Sequence, residues 1–230
     1  MRIHCLQHVP FESPGHIRTW CVARGHDLAM VRLFAHDPVP SPSDVEALVV
    51  MGGPMGVHDD LQYPWMKGEK HLIGATLEAG KRVFGVCLGA QMIANVSGAR
   101  VYRNRFQEIG WFPVESTPEG VARLALPHRF TVFHWHGDTF QLPTGAVNLA
   151  RTDACEQQMF VLGENVIGVQ FHLEVTPEDV AAMCNDAGDD LPEGPYVQTV
   201  EKMRDSSQEY TPPHRLLEST LDHWMGERAA

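Results

Sequence analysis

The segment VFGVCLGAQMIA, residues 83–94, passes from a fully apolar run to a pattern typical of a helix, with two glycines flanking a cysteine between them. A strand that turns sharply into a helix crowds the neighbouring backbones, and glycines two positions before and after the apex relieve that crowding. Gly85 and Gly89 hold those positions around Cys87. Cys87 is therefore either a small hydrophobic residue of the core, the commoner role of a buried thiol, or a nucleophile presented on a turn.

The surrounding apolar runs place this turn in an α/β fold. Several runs of strand length are apolar on both faces, which is typical of parallel strands covered by helices. We predict strands at 2–7, 28–34, 46–53, 81–87, 109–114, 130–136, 157–162 and 166–172, and helices at 15–25, 63–80 and 88–98. The succession predicts a three-layer sandwich with a mostly parallel central sheet, helices on both faces and an additional antiparallel strand layer. The antiparallel strands are expected from region 100–172, which has no obvious helix.

The length of 230 residues suffices for one sizeable hydrophobic core. We therefore expect a single domain over residues 1–230. Residues 177–230 are expected to form a helical C-terminal extension packed on it, interrupted by the Gly- and Pro-containing stretches 186–196 and 210–215.

Charge and hydropathy exclude several classes of function. The chain has 18 Lys and Arg against 29 Asp and Glu, a net charge of −11, which is the wrong sign for a nucleic-acid partner. No run approaches the roughly 20 apolar residues of a membrane-spanning helix, and the N-terminus lacks the apolar stretch of a signal peptide. We expect a cytoplasmic protein with no membrane partner. The five scattered cysteines, without a C-x-x-C pair, are expected to be reduced thiols.

If Cys87 is a nucleophile, other segments offer the groups that it needs. A residue at a helix N-terminus favours a thiolate, and the N–H of Leu88 points to where an oxyanion would form. The segment MGGPMG (51–56) follows a predicted strand, and Gly53 is the candidate for a second oxyanion donor. Near the end of the last predicted strand, His172 could serve as the base, and Glu174 two residues on could orient it.

With these residues in place, the chain resembles a class I glutamine amidotransferase domain, similar to the glutaminase half of GMP synthase and more so to stand-alone amidotransferase-like proteins. The resemblance implies a flavodoxin-like fold, with Cys87 as nucleophile, His172 as general base and acid and Glu174 orienting it. It also implies oxyanion donors at Gly53 and Leu88, and a contact from Gln91 to the bound glutamine. The matching segments are 48–60, 83–94, 133–143 and 167–178.

Two features of the chain qualify this resemblance. Leu173 stands between the histidine and the acid, where family members usually have proline. The segment HWHGD contains His134, His136 and Asp138, which resemble the start of a H-x-H-x-D-H metal motif. Thr139 replaces the last histidine of that motif, so we expect no metal. The resemblance instead aligns His136 and Asp138 with a corner lining the glutamine pocket, as substrate contacts or structural support.

The sequence thus predicts hydrolysis of the glutamine γ-amide through a γ-glutamyl thioester on Cys87, with release of ammonia and without a cofactor. The residues after Pro177 are too few for an ammonia-using domain, so a separate ammonia-accepting synthase subunit is a possible partner. One alternative is a γ-glutamyl peptidase or transferase that acts on glutathione-like γ-glutamyl compounds. Another is a non-catalytic regulatory module with the same fold.

Overall fold

A single mixed sheet organises the chain. The structure, a computed structural model, describes residues 1–188, 191–205 and 207–226. The strands are β1 (Arg2–Gln7), β2 (Asp27–Arg32), β3 (Ala47–Val50), β4 (Arg82–Val86), β5 (Val101–Ser116), β6 (Arg129–Phe140), β7 (Ala146–Arg151), β8 (Met159–Leu162) and β9 (Val166–Val169). The helices are α1 (Gly15–Arg24), α2 (Met66–Glu78), α3 (Leu88–Val96), α4 (Pro118–Leu124), α5 (Pro177–Ala187), α6 (Val200–Met203) and α7 (Thr211–Met225).

The strand order has a parallel half and an antiparallel half. Across the sheet the order is β2-β1-β3-β4-β9-β8-β7-β5-β6, and the strands from β2 to β9 pair in parallel. The pairs from β9 to β6 are antiparallel and continue the same sheet. The parallel half has the 2-1-3-4-5 order of flavodoxin-like folds, whose ligands bind beyond the carboxyl ends of the strands. The predicted α/β class is confirmed.

The parallel strands are buried on both faces, as their uninterrupted apolar sequences predict. In β3, Leu48 and Val50 pack towards α2 and α3, whereas Val49 packs towards α1 and α7. Alternate residues of a strand point to opposite faces, so this short apolar run serves both helical layers. The elbow around Cys87 is therefore held between two packed cores.

Region 100–172 differs from prediction in two elements. It contains the short helix α4, where the Thr117 side chain caps the first turn by accepting the Gly120 N–H at 3.1 Å. Thr117 followed by Pro118 is an N-cap signal that the apolar pattern did not reveal. Strand β7 was also missed, because Asn148 interrupts its apolar residues and no long apolar run results.

The C-terminal segment contributes helices to both the site and the core. Helix α5 begins with a capping box in which Thr176 and Asp179 bond each other's backbone N–H groups. Helix α7 places Trp224 against Phe84 of β4, with ring centroids 5.8 Å apart. Within the predicted extension, residues 189–190, 206 and 227–230 lie outside the described residues. Among the helices that the structure describes, none is long and apolar enough to cross a membrane.

Candidate active site

Cys87 sits at the apex between β4 and α3. Its backbone has φ 50° and ψ −107°, and its N–H donates to the carbonyl of Val169 on β9 at 2.7 Å. A Cβ atom on Gly85 would lie 2.6 Å from the carbonyl carbon of Gly89, and one on Gly89 would collide with the carbonyl oxygen of Val50. Both flanking glycines are therefore required by close backbone approach, as the elbow pattern predicted.

The structure brings His172 and Glu174 together beyond the end of β9. His172 Nδ1 lies 2.7 Å from Glu174 Oε1, and the two side chains are 1% and 3% exposed. The backbone N–H of His172 donates to the carbonyl of Phe133 on β6 at 2.8 Å. Strand β9 ends at Val169, so this pair occupies an irregular segment rather than the end of the strand that the sequence predicted. Leu173, in place of the usual proline, is 1% exposed and packs in the main core.

The thiol and the imidazole are electrostatically coupled. Burial raises the pKa of the Cys87 thiol, while His172 and the Leu88 N–H act to lower it. Burial alone would lower the pKa of His172, but the Glu174 carboxylate and Cys87 raise it well above its usual value. The imidazole is therefore a strong base for the thiol proton, and the resulting imidazolium is stabilised by Glu174.

Both predicted oxyanion donors lie beside Cys87. The N–H of Leu88 interacts with the Cys87 sulfur, and Gly53 lines the cavity above it. A Cβ atom on Gly53 would come within 3.3 Å of the Leu88 side chain, so the two residues are neighbours. Below this loop, His8 contacts the Gly52 carbonyl oxygen through Nδ1 at 2.8 Å and Glu69 Oε1 through Nε2 at 2.7 Å. This fully buried His–Glu pair supports the glycine loop.

The predicted substrate contacts occupy one polar wall of the cavity. Gln91 donates from Nε2 to Gln170 Oε1 at 3.1 Å and to the Asp138 carbonyl at 3.4 Å. The Asp138 carboxylate lies 3.6 Å from Arg103 Nη1. Gln91, Arg103 and Asp138 all line the cavity. They are placed to contact a polar ligand.

His136 also borders the cavity, but its ring belongs to a buried network with Glu108. His136 Nε2 lies 3.1 Å from Glu108 Oε2, and its Nδ1 lies 3.1 Å from the Asp138 carbonyl oxygen. Among the residues that the structure describes, one group could hold a metal ion, because its ligand atoms lie within 4.8 Å of one another. It consists of Glu108, His134 and His136. Asp138, of the partial metal motif, is outside that group. The Glu108 oxygens accept hydrogen bonds from Thr152 at 2.8 Å and Gln158 at 2.6 Å.

The cavity has a second wall that the sequence did not reveal. Its volume is about 270 Å³, at the small end of ligand pockets, and Cys87 lines it. The second wall is apolar, with two carboxylates, and consists of Phe11, Glu12, Ile109, Trp135, Met183 and Asp186. Glu12 follows β1 and Asp186 belongs to α5, and no motif links the two positions. Only the folded structure brings them together.

A sequence model of the family described as "Glutamine amidotransferase class-I" matches residues 16–186. The chain belongs to the class I glutamine amidotransferase family. The chain is 32% identical over 214 residues to the glutamine amidotransferase-like protein YfeJ of Salmonella typhimurium, covering 89% of the chain and 90% of YfeJ. It is 35% identical over 129 residues to the glutamine-hydrolyzing GMP synthase of Aeropyrum pernix, covering 56% of the chain but 24% of that synthase.

The amidotransferase fold agrees with a solved relative over its full length. The crystal structure of a glutamine amidotransferase from Methylobacillus flagellatus superimposes with a TM-score of 0.91 at 28% identity, covering 100% of this chain and 96% of that chain. The family resemblance inferred from the sequence is confirmed.

Proposed function

We propose that this amidotransferase hydrolyses the γ-carboxamide of glutamine through a covalent intermediate on Cys87. The observation that carries the proposal is the placement of Cys87, on a strained elbow at the cavity, in electrostatic contact with the imidazole of the His172–Glu174 pair. A nucleophile, a base and a group that orients the base are the parts that acyl transfer requires.

In the proposed reaction, His172 takes the thiol proton and the Cys87 sulfur attacks the γ-carbonyl carbon. The N–H groups of Gly53 and Leu88 stabilise the tetrahedral oxyanion, a kind of contact that is worth about 3–4 kcal/mol of barrier in other enzymes. The imidazolium then protonates the departing nitrogen, the C–N bond breaks and ammonia leaves a γ-glutamyl thioester. His172 next takes a proton from water, whose oxygen attacks the thioester carbon and displaces the sulfur. Glutamate is released, and the proton passes from His172 to the sulfur to restore the thiol.

The polar wall supports recognition of the γ-glutamyl part. We assign Gln91 and Asp138 to contacts with the amino-acid end of the substrate, and His136 to support of that wall through Glu108. Where the ammonia is used, we propose that a separate synthase subunit accepts it. The similarity to the Aeropyrum GMP synthase supports this, because the match covers 24% of that synthase and leaves the rest of the synthase outside the matched region.

A second candidate keeps this chemistry and changes the amine that leaves. A γ-glutamyl peptidase or transferase releases an amine larger than ammonia. The second cavity wall favours this candidate, because ammonia alone would leave the apolar surface of Phe11, Ile109 and Met183 without a contact.

The proposal is tested by covalent trapping with a diazoketone analogue of glutamine. We expect a single adduct on Cys87 by intact-mass and peptide analysis, and a loss of glutamine hydrolysis of at least about 10³-fold in Cys87→Ala. Cys21→Ala is the matched control, because Cys21 is also buried but lies on α1 and does not line the cavity.

The result that would overturn the proposal is full hydrolysis by Cys87→Ala. Absence of any adduct on wild-type Cys87 would instead support the non-catalytic module with the same fold.

A further inference from the structure

The second wall of the cavity carries an acidic side chain that forms no ion pair with any residue that the structure describes. Glu12 is 9% exposed and lines the cavity. Within the part of the chain that the structure describes, its carboxylate has no hydrogen bond or ion pair. Burial raises the pKa of Glu12 to about 7, against the opposing effects of His172 and His8 and with Glu174 and Asp186 adding to the rise. A buried carboxylate in this state is stabilised by a cation that enters the cavity.

Glu12 lies on the side of the site from which the amine departs. A Cβ atom on Gly52 would collide with Glu12 Oε2 and would lie 3.2 Å from His172 Cε1, so the carboxylate and the imidazole flank the same glycine. In the proposed reaction His172 delivers the proton to the departing nitrogen. The departing group must therefore lie next to His172, within reach of Glu12.

The surface around Glu12 is apolar and ends at a second acid. Ile109 and Met183 belong to one buried cluster, against which Phe11 and Trp135 pack. Asp186 is exposed at the rim of the cavity, and its negative charge contributes to the raised pKa of Glu12. Methylene groups fit such a surface, and the two carboxylates favour a positive charge beyond them.

The remaining cation of the cavity is already paired. Arg103 Nη1 lies 3.6 Å from Asp138 on the polar wall. An anionic departing group, such as an amino acid or a dipeptide, would meet Glu12 and Asp186 with no unpaired Lys or Arg among the described residues that line the cavity. A carboxylate of the departing group placed beside these two carboxylates is repelled, so the wall disfavours glutathione-like substrates.

We propose that the second wall is a subsite for the departing amine, and that it accepts an amine with a short alkyl chain and a second positive charge. The substrate class is then the γ-glutamyl derivatives of alkyl diamines. This inference rests on the proposed function, since it names the substrate of the same Cys87 chemistry. Cleavage forms the C–S bond and breaks the γ-amide C–N bond, the amine takes a proton from His172, and water then releases glutamate.

The test compares turnover of γ-glutamyl amides that differ in the charge of the departing amine. The probes are the γ-glutamyl amides of 1,4-diaminobutane, which is cationic, of n-butylamine, which is neutral, and of 4-aminobutanoate, which is anionic, together with glutamine. We expect kcat/KM for the diamine derivative to exceed that of the neutral amide by about tenfold or more, with the anionic derivative slowest.

Variants of the wall locate the charge preference. Glu12→Gln and Asp186→Asn, each nearly isosteric, are expected to reduce the ratio of kcat/KM between the cationic and neutral amides, with Glu12→Gln bringing it close to one. Glu119→Gln is the control, because it removes one negative charge from an exposed position on α4. Thermal unfolding of each variant establishes that it is folded, and Asp186 is exposed enough to be replaced without affecting the core.

Each outcome separates this inference from the proposed function. If wild-type protein hydrolyses the three amides with equal kcat/KM through Cys87, the inference is wrong and the proposed function stands. An equal loss on all four substrates in Glu12→Gln would place Glu12 against the γ-glutamyl α-ammonium and would also overturn the inference. If no γ-glutamyl compound reacts and none forms an adduct on Cys87, the proposed function itself fails.

Discussion

At Cys87 the backbone holds a non-glycine residue at φ 50° and ψ −107°, a conformation that costs on the order of 1–3 kcal/mol. The surroundings impose it, because the Cys87 N–H is bonded to Val169 at 2.7 Å while its carbonyl accepts from Gln91 at 3.1 Å as the first hydrogen bond of α3. These two bonds fix the backbone from which the Cys87 side chain lines the cavity. In the proposed reaction, the fold rather than the ligand therefore sets the position of the sulfur.

The Glu174 carboxylate acts to raise the pKa of His172, and His172 in turn acts to lower the pKa of Cys87. Glu174→Gln keeps an oxygen that can accept a hydrogen bond from the Nδ1–H group but removes the negative charge that raises the pKa of His172. The imidazolium is then less stable, so we expect the Cys87 thiolate to form only at higher pH. Glutamine hydrolysis should fall by about 10²-fold or more. The rate of Cys87 alkylation against pH, followed by peptide mass spectrometry, measures the shift directly.

The control for this variant is a His–Glu pair outside the site. His16 Nε2 lies 2.8 Å from Glu218 Oε1, away from the cavity, and Glu218→Gln removes the same charge there. We expect its alkylation profile to match the wild type. An unchanged profile in Glu174→Gln would show that Glu174 does not govern the base.

At the scale of elements, the elbow depends on how closely α3 approaches β3. A methyl group on Gly89 would overlap the carbonyl oxygen of Val50, and rigid backbone leaves no room to relieve the contact. We therefore expect Gly89→Ala to lower the free energy of unfolding by about 1–3 kcal/mol or more. Gly74→Ala on α2 is the matched control. It meets nothing within 4 Å and should raise stability by about 0.5–1 kcal/mol.

Urea unfolding of the two alanine variants checks this expectation. Opposite signs of the change in unfolding free energy would establish that the close approach of α3 to β3, and not the loss of a glycine as such, makes alanine unfavourable at position 89. Wild-type stability of Gly89→Ala would contradict it.

The sequence predicted the elements whose cause is local. Strand β1 coincides with its predicted range of 2–7, and the Gly85 and Gly89 frame located the turn, because each signal lies within a few residues. Glu12 and Glu108 could not be found in this way. Each is a single acid outside any motif. Glu12 lines a cavity, and Glu108 accepts a hydrogen bond from Gln158, only after distant segments of the chain have come together in the fold.

At the scale of the whole molecule, hydrogen bonds join helix α7 to helix α1. Asp222 on α7 accepts hydrogen bonds from Trp20 Nε1 at 2.8 Å and from Arg24 at 2.9 and 2.7 Å, both on α1. These bonds, Arg24 foremost, hold the pKa of Asp222 below its usual range. The stability they contribute is present above the pKa of an unfolded aspartate, about 4, and is lost as pH falls through the lower folded value.

We expect Asp222→Asn to lower the free energy of unfolding at pH 7 by about 1–3 kcal/mol, with the difference from wild type shrinking below about pH 4. Urea unfolding between pH 3 and 7 measures it. Asp37→Asn is the control, because Asp37 pairs with Arg32 at 2.9 Å on an exposed surface and should change stability far less. A difference that persists undiminished in acid would contradict the assigned bonds.

The edge strand β6 has a consequence that reaches across the molecule. Although β6 stands at one border of the sheet, its Phe133 carbonyl holds the His172 N–H at 2.8 Å, and its Trp135 carbonyl lies 3.7 Å from the Cys87 sulfur. The strand that supplies Trp135 to the cavity wall thus also contacts Cys87 and His172 through its backbone, so a ligand on this wall would lie against the strand that supports the two residues proposed to react.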